Sequence, residues 1–151
     1  MSAAGKASRE AFVDPVNLVR WILAVPAAVA GWYLGVIAAL AMHQLGERLC
    51  QVEYIVSGTC HAPWSSFVTD FALVTGSLVC GCLTVLLPAL IAPAHRPRVA
   101  QLAYAGGLAA AAYWLLHGFW LPVAAAALAG GATLWRIQAG PARRPGAAGG
   151  Q

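Results

Sequence analysis

The sequence predicts an all-α, polytopic membrane protein, a bundle of four transmembrane helices with one disulfide-pinned extracytoplasmic loop. Three observations carry that prediction. Of 151 residues, 60% are apolar and 9% charged, against about a quarter charged in an ordinary soluble domain, and mean hydropathy is +0.71. Four apolar runs approach the roughly 20 residues that a bilayer core about 30 Å thick demands of a helix. Two cysteines, Cys50 and Cys60, fall together in the longest polar interval between runs. Nine basic and five acidic side chains cannot wet the surface of a globule this size, so a soluble enzyme, a nucleic-acid module and a disordered chain are excluded. The net +4 is scattered along the chain with no compact basic face, and no nucleic-acid partner is expected.

The elements follow in chain order. Residues 1–17 are rich in small residues and are expected as a disordered cytoplasmic segment. The membrane domain covers residues 18–138, and its first span runs over about 19–42, uncharged between Arg20 and Glu47. Arg20 reaches the interface by snorkelling, and Pro26 is tolerated because neighbouring helices re-satisfy the freed carbonyl. Lys6, Arg9, Arg20 and Ala28-Val29-Ala30 also fit a cleaved secretory signal. Apolar sequence continues to Met42, however, which is the length of a span. The outer loop covers 43–65, and Trp64 marks its return to the membrane. The second span covers about 66–92, stopped by Pro93 and Pro97, with one acid, Asp70, inside its first end.

The third span, about 99–118, and the fourth, about 121–137, are so close that they must form a helical hairpin turning at Gly118-Phe119-Trp120-Leu121-Pro122. The fourth is short and alanine-rich, which makes it the weakest span of the set. Residues 139–151 are expected as a disordered cytoplasmic tail. Most of the six tryptophans fall near predicted span ends, where amphipathic rings favour the headgroup zone.

Orientation follows from the distribution of Lys and Arg. With the N-terminus inside, Lys6, Arg9, Arg20, Arg96, Arg98, Arg136, Arg143 and Arg144 face the cytoplasm and only Arg48 faces outward. Positive residues are retained inside, so both termini are expected in the cytoplasm of a bacterial-type inner membrane. The same bias excludes a dual-topology dimer, which needs balanced loops.

Cys50 and Cys60 then lie in the compartment where disulfides persist, and are expected to be bonded. Closing an eleven-residue loop is worth about 2 to 3 kcal/mol in the chain-entropy model, and Ser57-Gly58 supplies turn residues between them. Their ten-residue separation is not the Cys-x-x-Cys of thiol-exchange proteins. Cys80 and Cys82 flank Gly81 in the second span, where a two-residue step turns side chains about 200° apart; packing residues are expected there.

An ionisable residue within a span is a functional-site candidate by default. Asp70 continues through Val74, Ser77, Gly81, Thr84 and Pro88 at steps of four and three, a small or polar stripe expected to face other helices. Gly106, Ala110, Tyr113 and His117 form a similar stripe on the third span. Gly31-x-x-x-Gly35 and Ser77-x-x-x-Gly81 add small faces for close helix contact. Antiparallel spans bring His43, Asp70 and His117 to one depth, with Glu47 a turn beyond His43 and His61 in the loop. This candidate cluster at the outer mouth of the bundle has the residue types for a divalent metal held by His43 and His117 with a carboxylate, for a proton relay, or for bis-histidine haem. Interface hydrogen bonding is the bland alternative and the favoured one.

No phosphate loop, nucleophile constellation or cofactor box is present, so no cofactor is strongly implied and enzymatic activity is not expected. The expected partners are the lipid bilayer and either another membrane protein or a second copy of the chain. The expectation for function is a small, non-enzymatic accessory or scaffold subunit of a larger membrane complex. The alternative is a small transporter or a redox- or metal-linked carrier built on His43, Asp70 and His117.

Overall fold

The computed structural model describes residues 15–92 and 95–140. Four helices account for most of them: α1 (Pro15–Arg48), α2 (Ser65–Ile91), α3 (Arg96–Leu116) and α4 (Trp120–Ala139). A short 3-10 turn (Val52–Tyr54) and two short strands, β1 (Ile55–Val56) and β2 (Thr59–Cys60), join α1 to α2. The helices α1, α2 and α3 are long and apolar enough to cross a membrane. The expected fourth span folds as a helix of 20 residues but is not among those three. Alanines contribute little hydropathy, and Gly130, Gly131, Arg136 and Gln138 dilute what Leu121, Val123, Leu128 and Ile137 supply.

Boundaries shift at both ends of the first span. The helix does not stop at Met42 but continues to Arg48, so residues expected in the loop, His43 included, are helical. The extension is favourable because His43 Nε2 and Glu47 Oε1 pair at 3.5 Å one turn apart and Arg48 complements the helix dipole in the last turn. At 34 residues, α1 is about 51 Å long at 1.5 Å per residue, well beyond a bilayer core. Its last turns therefore form a stalk for the hairpin. At the other end, residues 15–17 open α1 where the sequence suggested disorder, with Pro15 in the first turn, where a missing N–H breaks no helical bond. The rest of the expected N-terminal tract (1–14) and the tail beyond Gly140 lie outside the described residues.

Helix α2 is the centre of the molecule, packing against all three others. Its contact with α1 is antiparallel and built on small residues. Gly46 faces Val68, Gly35 and Ala39 face Gly76, Gly35 faces Cys80, and Gly31 faces the backbone of Leu83 and Thr84. A Cβ added at Gly35 would stand 2.5 Å from Cys80 Cβ and 2.8 Å from its Cα. Without a hydrophobic drive between helices in lipid, this close approach is where dispersion energy is gained. Helix α4 runs parallel to α2, seated at Gly81, where an added Cβ would overlap the Ala126 carbonyl. Thr133 Oγ1, which donates to the Ala129 carbonyl at 2.8 Å, also lies 3.4 Å from Cys82 Sγ across the same interface. Helix α3 is tied to α4 by Tyr104, whose hydroxyl donates to the Ala127 carbonyl at 3.1 Å.

The best-packed region lies at the end of the bundle where α2 stops and α3 starts, hereafter the arginine end. There Val85, Ala89 and Ala100 are buried, flanked by Tyr104, Leu134 and Ile137. The buried apolar residues among those described are eight alanines and two valines. Large apolar side chains such as Ile22, Phe67, Leu102, Leu128 and Trp135 are exposed instead, the inverse of a soluble core and the form expected of a surface solvated by lipid.

Two turns position the rest. At the end of α3, Gly118 (φ 85°) stands at the left-handed position of a Schellman motif, with Phe119 N–H donating to Trp114 O at 3.2 Å and Gly118 N–H to Leu115 O at 3.1 Å. The accompanying apolar contact is the edge-to-face pair Trp114–Phe119, 5.6 Å between centroids. The predicted hairpin between the third and fourth helices thus has a specific cap. In the hairpin between α1 and α2, Ile55 pairs with Cys60 and Val56 with Thr59. Ser57 (φ 53°) and Gly58 (φ 82°) make its two-residue turn with the double positive φ of type I′. The Cys50–Cys60 bond is formed, with Cα atoms 6.0 Å apart.

Candidate functional site: the crevice under the hairpin

The hairpin and its disulfide lean over the stalk of α1 and the start of α2, the loop end of the bundle. Between them opens a crevice of about 160 Å³. The α1 wall carries His43, Gly46 and Glu47, β2 contributes Thr59 and Cys60, and the start of α2 supplies Trp64, Ser65, Ser66, Val68 and Thr69. Gly46 packs against Val68 at its base, which fixes the separation of the two walls. The His43–Glu47 pair is partly exposed on both sides, 42% and 39%, so it is solvated and weak by the standard of exposed ion pairs. Thr69 Oγ1 is committed to the Ser65 carbonyl at 3.1 Å, and among the described residues no hydroxyl is hydrogen-bonded to His43. The crevice therefore has no aligned nucleophile and base.

The structure divides the predicted cluster. His43 and Glu47 are brought together, and Cys60 joins them at the crevice. Asp70, His61 and His117 are exposed and do not line it. Asp70 makes no hydrogen bond or ion pair among the described residues. His117 is turned onto its own helix, Nδ1 at 2.9 Å from the Tyr113 carbonyl and its ring 4.5 Å from that of Tyr113. Among the described residues no three His, Cys, Asp or Glu side chains come together to hold a metal ion, so His43, Asp70 and His117 do not form the ligand set that their shared depth suggested. The placement of α4 accompanies this division: Gly81 seats α4 on the middle of α2, and Ala100 and Tyr104 of α3 pack with α2 at the Val85–Ala89 cluster near the arginine end.

The two predicted stripes diverge as well. From Val74 to Pro88 the α2 stripe is at least half-buried, as expected, and only Asp70 is exposed. On α3 the expected inward stripe of Gly106, Ala110, Tyr113 and His117 is exposed throughout. Cys80 and Cys82 diverge as the helical geometry requires. Cys80 packs against Gly35 of α1 and lies 3.9 Å from Thr84 Oγ1, while Cys82 contacts Thr133 Oγ1 of α4. Trp32 stands mid-helix, edge-on to Tyr33 at 5.0 Å, and is no end anchor. Tyr104 had no place in the sequence reading, although a tyrosine within an apolar span, needing an acceptor for its hydroxyl, was a usable signal.

Comparison with protein-family models, with curated proteins and with solved structures finds no match to this chain.

Proposed function

We propose that this is a multi-pass membrane protein, crossing four times with both ends in the cytoplasm, and that it serves as a non-enzymatic accessory or scaffold subunit of a larger membrane complex. The eight-to-one distribution of Lys and Arg supports the orientation. The observation that carries the subunit reading is the outer half of α3. From Ala105 to Leu116 no residue is buried, and a Cβ added at Gly106 or Gly107 would meet nothing within 4 Å. The comparable small faces of α1 and α2 are occupied within the chain, whereas this one is left to another helix, of a different membrane protein or of a second copy.

Purification from native membranes in mild detergent, with mass spectrometry and an absorption spectrum on one sample, tests the reading. A stoichiometric membrane partner, lost on Gly106→Leu or Ala110→Leu, is the expected result, and a chain that emerges alone overturns it. A lone protein with bound metal or a Soret band would instead favour the carrier alternative, for which the geometry supplies the His43–Glu47 pair but not its union with Asp70 and His117. Asp70→Asn should then abolish function, whereas a scaffold should lose little. A reporter fused at Gln151 should read cytoplasmic, and an outside signal would remove the fourth crossing.

A further inference from the structure

At the arginine end a second crevice, about 380 Å³, lies between the last turns of α2, the first turn of α3 and the last turn of α4. Its floor is apolar, formed by Leu86, Ala89, Leu90 and Ile137, and its rim carries Arg96 and Arg136 from different helices. Among the described residues no acidic side chain lines it. Both arginines are exposed, and neither guanidinium makes a hydrogen bond or ion pair among the described residues. The acids that are described, Glu47, Glu53 and Asp70, all belong to the loop end, while Glu10 and Asp14 precede the described residues.

We propose that this crevice binds an anionic phospholipid, its phosphate held between Arg96 and Arg136 and an acyl chain lying along Leu86, Leu90 and Ile137. Four features converge on that ligand. The arginines sit in the terminal turns of α3 and α4, with Ile137 next to Arg136 and with Leu90 and Leu86 one and five residues in from the end of α2, so charge and apolar surface adjoin there as headgroup and acyl chain do at a leaflet surface. Two guanidinium groups suit a phosphate, because each offers a planar fork of donors to its oxygens. Basic pockets between helices at a cytoplasmic surface are sites for acidic headgroups. The floor is also preformed, since Ala89 belongs to the buried cluster with Val85 and Ala100, and Ile137 packs against that cluster.

Other occupants fit less well. The chain beyond Gly140 carries Arg143 and Arg144 and no acidic side chain, so its charge repels the rim. Inorganic phosphate would engage the arginines and leave the floor bare. A zwitterionic lipid brings its own ammonium, which offsets the phosphate. The proposal rests on insertion of the chain in a membrane and not on its role as a subunit, so a lone chain that retains lipid would refute the subunit reading and leave this one standing.

The test uses the full chain in mild detergent, titrated with phosphatidylglycerol or phosphatidylcholine and read by native mass spectrometry, with a far-UV melt on each variant. Phosphatidylglycerol should be retained in preference to phosphatidylcholine. Each arginine near a leaflet surface is worth about fivefold in affinity, so Arg96→Gln with Arg136→Gln should weaken retention on the order of 25-fold. Arg48→Gln at the opposite end should leave it unchanged. Should the double glutamine variant melt, Arg96→Lys with Arg136→Lys keeps the charge, and it should retain the preference for the anionic lipid at reduced affinity. Equal retention of the two lipids, a double variant that binds like wild type, displacement of lipid by millimolar inorganic phosphate, or a protein seated there in its place would each overturn the proposal.

Discussion

Glycine at position 81 is the point on which the bundle turns, and replacing it with alanine gives opposite expectations from local propensity and from packing. In a helix interior, Gly→Ala gains about 1 kcal/mol from backbone entropy and propensity. At Gly81 the added methyl would overlap the Ala126 carbonyl oxygen and lie 2.8 Å and 2.9 Å from the Ala126 carbonyl carbon and Cα. These are backbone atoms of α4, so relief requires the whole helix to retreat. Retreat weakens the Thr133–Cys82 contact and the close approach of Gly130 to the Gly81 carbonyl. Overpacking in a well-fitted contact costs about 1 to 3 kcal/mol, and a backbone neighbour places this site at the upper end. The net expectation is a loss of about 2 kcal/mol after the propensity gain is subtracted. The same change at Gly106, which faces nothing within 4 Å, should stabilise the isolated chain by up to about 1 kcal/mol. Denaturation by sodium dodecyl sulfate in mixed micelles, followed by far-UV circular dichroism, measures both variants against wild type. Gly81→Ala at or above wild-type stability, or Gly106→Ala falling with it, would refute the assignment of α4 to the Gly81 face.

Three further outcomes are expected. Cys50 and Cys60 should resist alkylation until reduced, and Cys50→Ser with Cys60→Ser should lower stability by about 2 to 3 kcal/mol, read by the same denaturation; free thiols at both positions in native membranes would contradict the bond. Gly118→Ala forces a Cβ into the left-handed cap of α3 and should cost about 1 kcal/mol, with no loss if the turn is not a Schellman cap. Tyr104→Phe removes the hydroxyl that donates to the Ala127 carbonyl and should cost about 0.6 to 1 kcal/mol, an effect that should vanish if α3 and α4 are not joined there.

Much of the architecture was legible in the residues alone. Helix existence follows from run length and hydropathy, which are local properties, and all four predicted helices form, α2, α3 and α4 within three residues of their expected ends. The Cys50–Cys60 bond was legible because both cysteines fall in one short polar interval, and the α3–α4 hairpin because Gly118 and Pro122 leave no room for a longer connection. The divergence of Cys80 and Cys82 needed only the helical repeat. The end of α1 was misplaced because hydropathy falls at Met42 while helix propensity and the His43–Glu47 pair carry the backbone on to Arg48.

Tertiary structure alone decided which faces meet. A stripe of small residues states that a close neighbour is possible and not which one. Gly31 and Gly35 take α2, Gly81 takes α4, and Gly106 takes nothing among the described residues. Depth along the bundle, which antiparallel geometry does predict, is likewise not proximity across it. That is why His43 and Glu47 share a crevice while Asp70 and His117 stand apart. Arg96 and Arg136, forty residues apart in sequence, become two sides of one rim only because α2 brings the ends of α3 and α4 together around Val85 and Ala89. Composition set the medium and the helices, and the steric fit of glycine against particular backbone atoms set their arrangement.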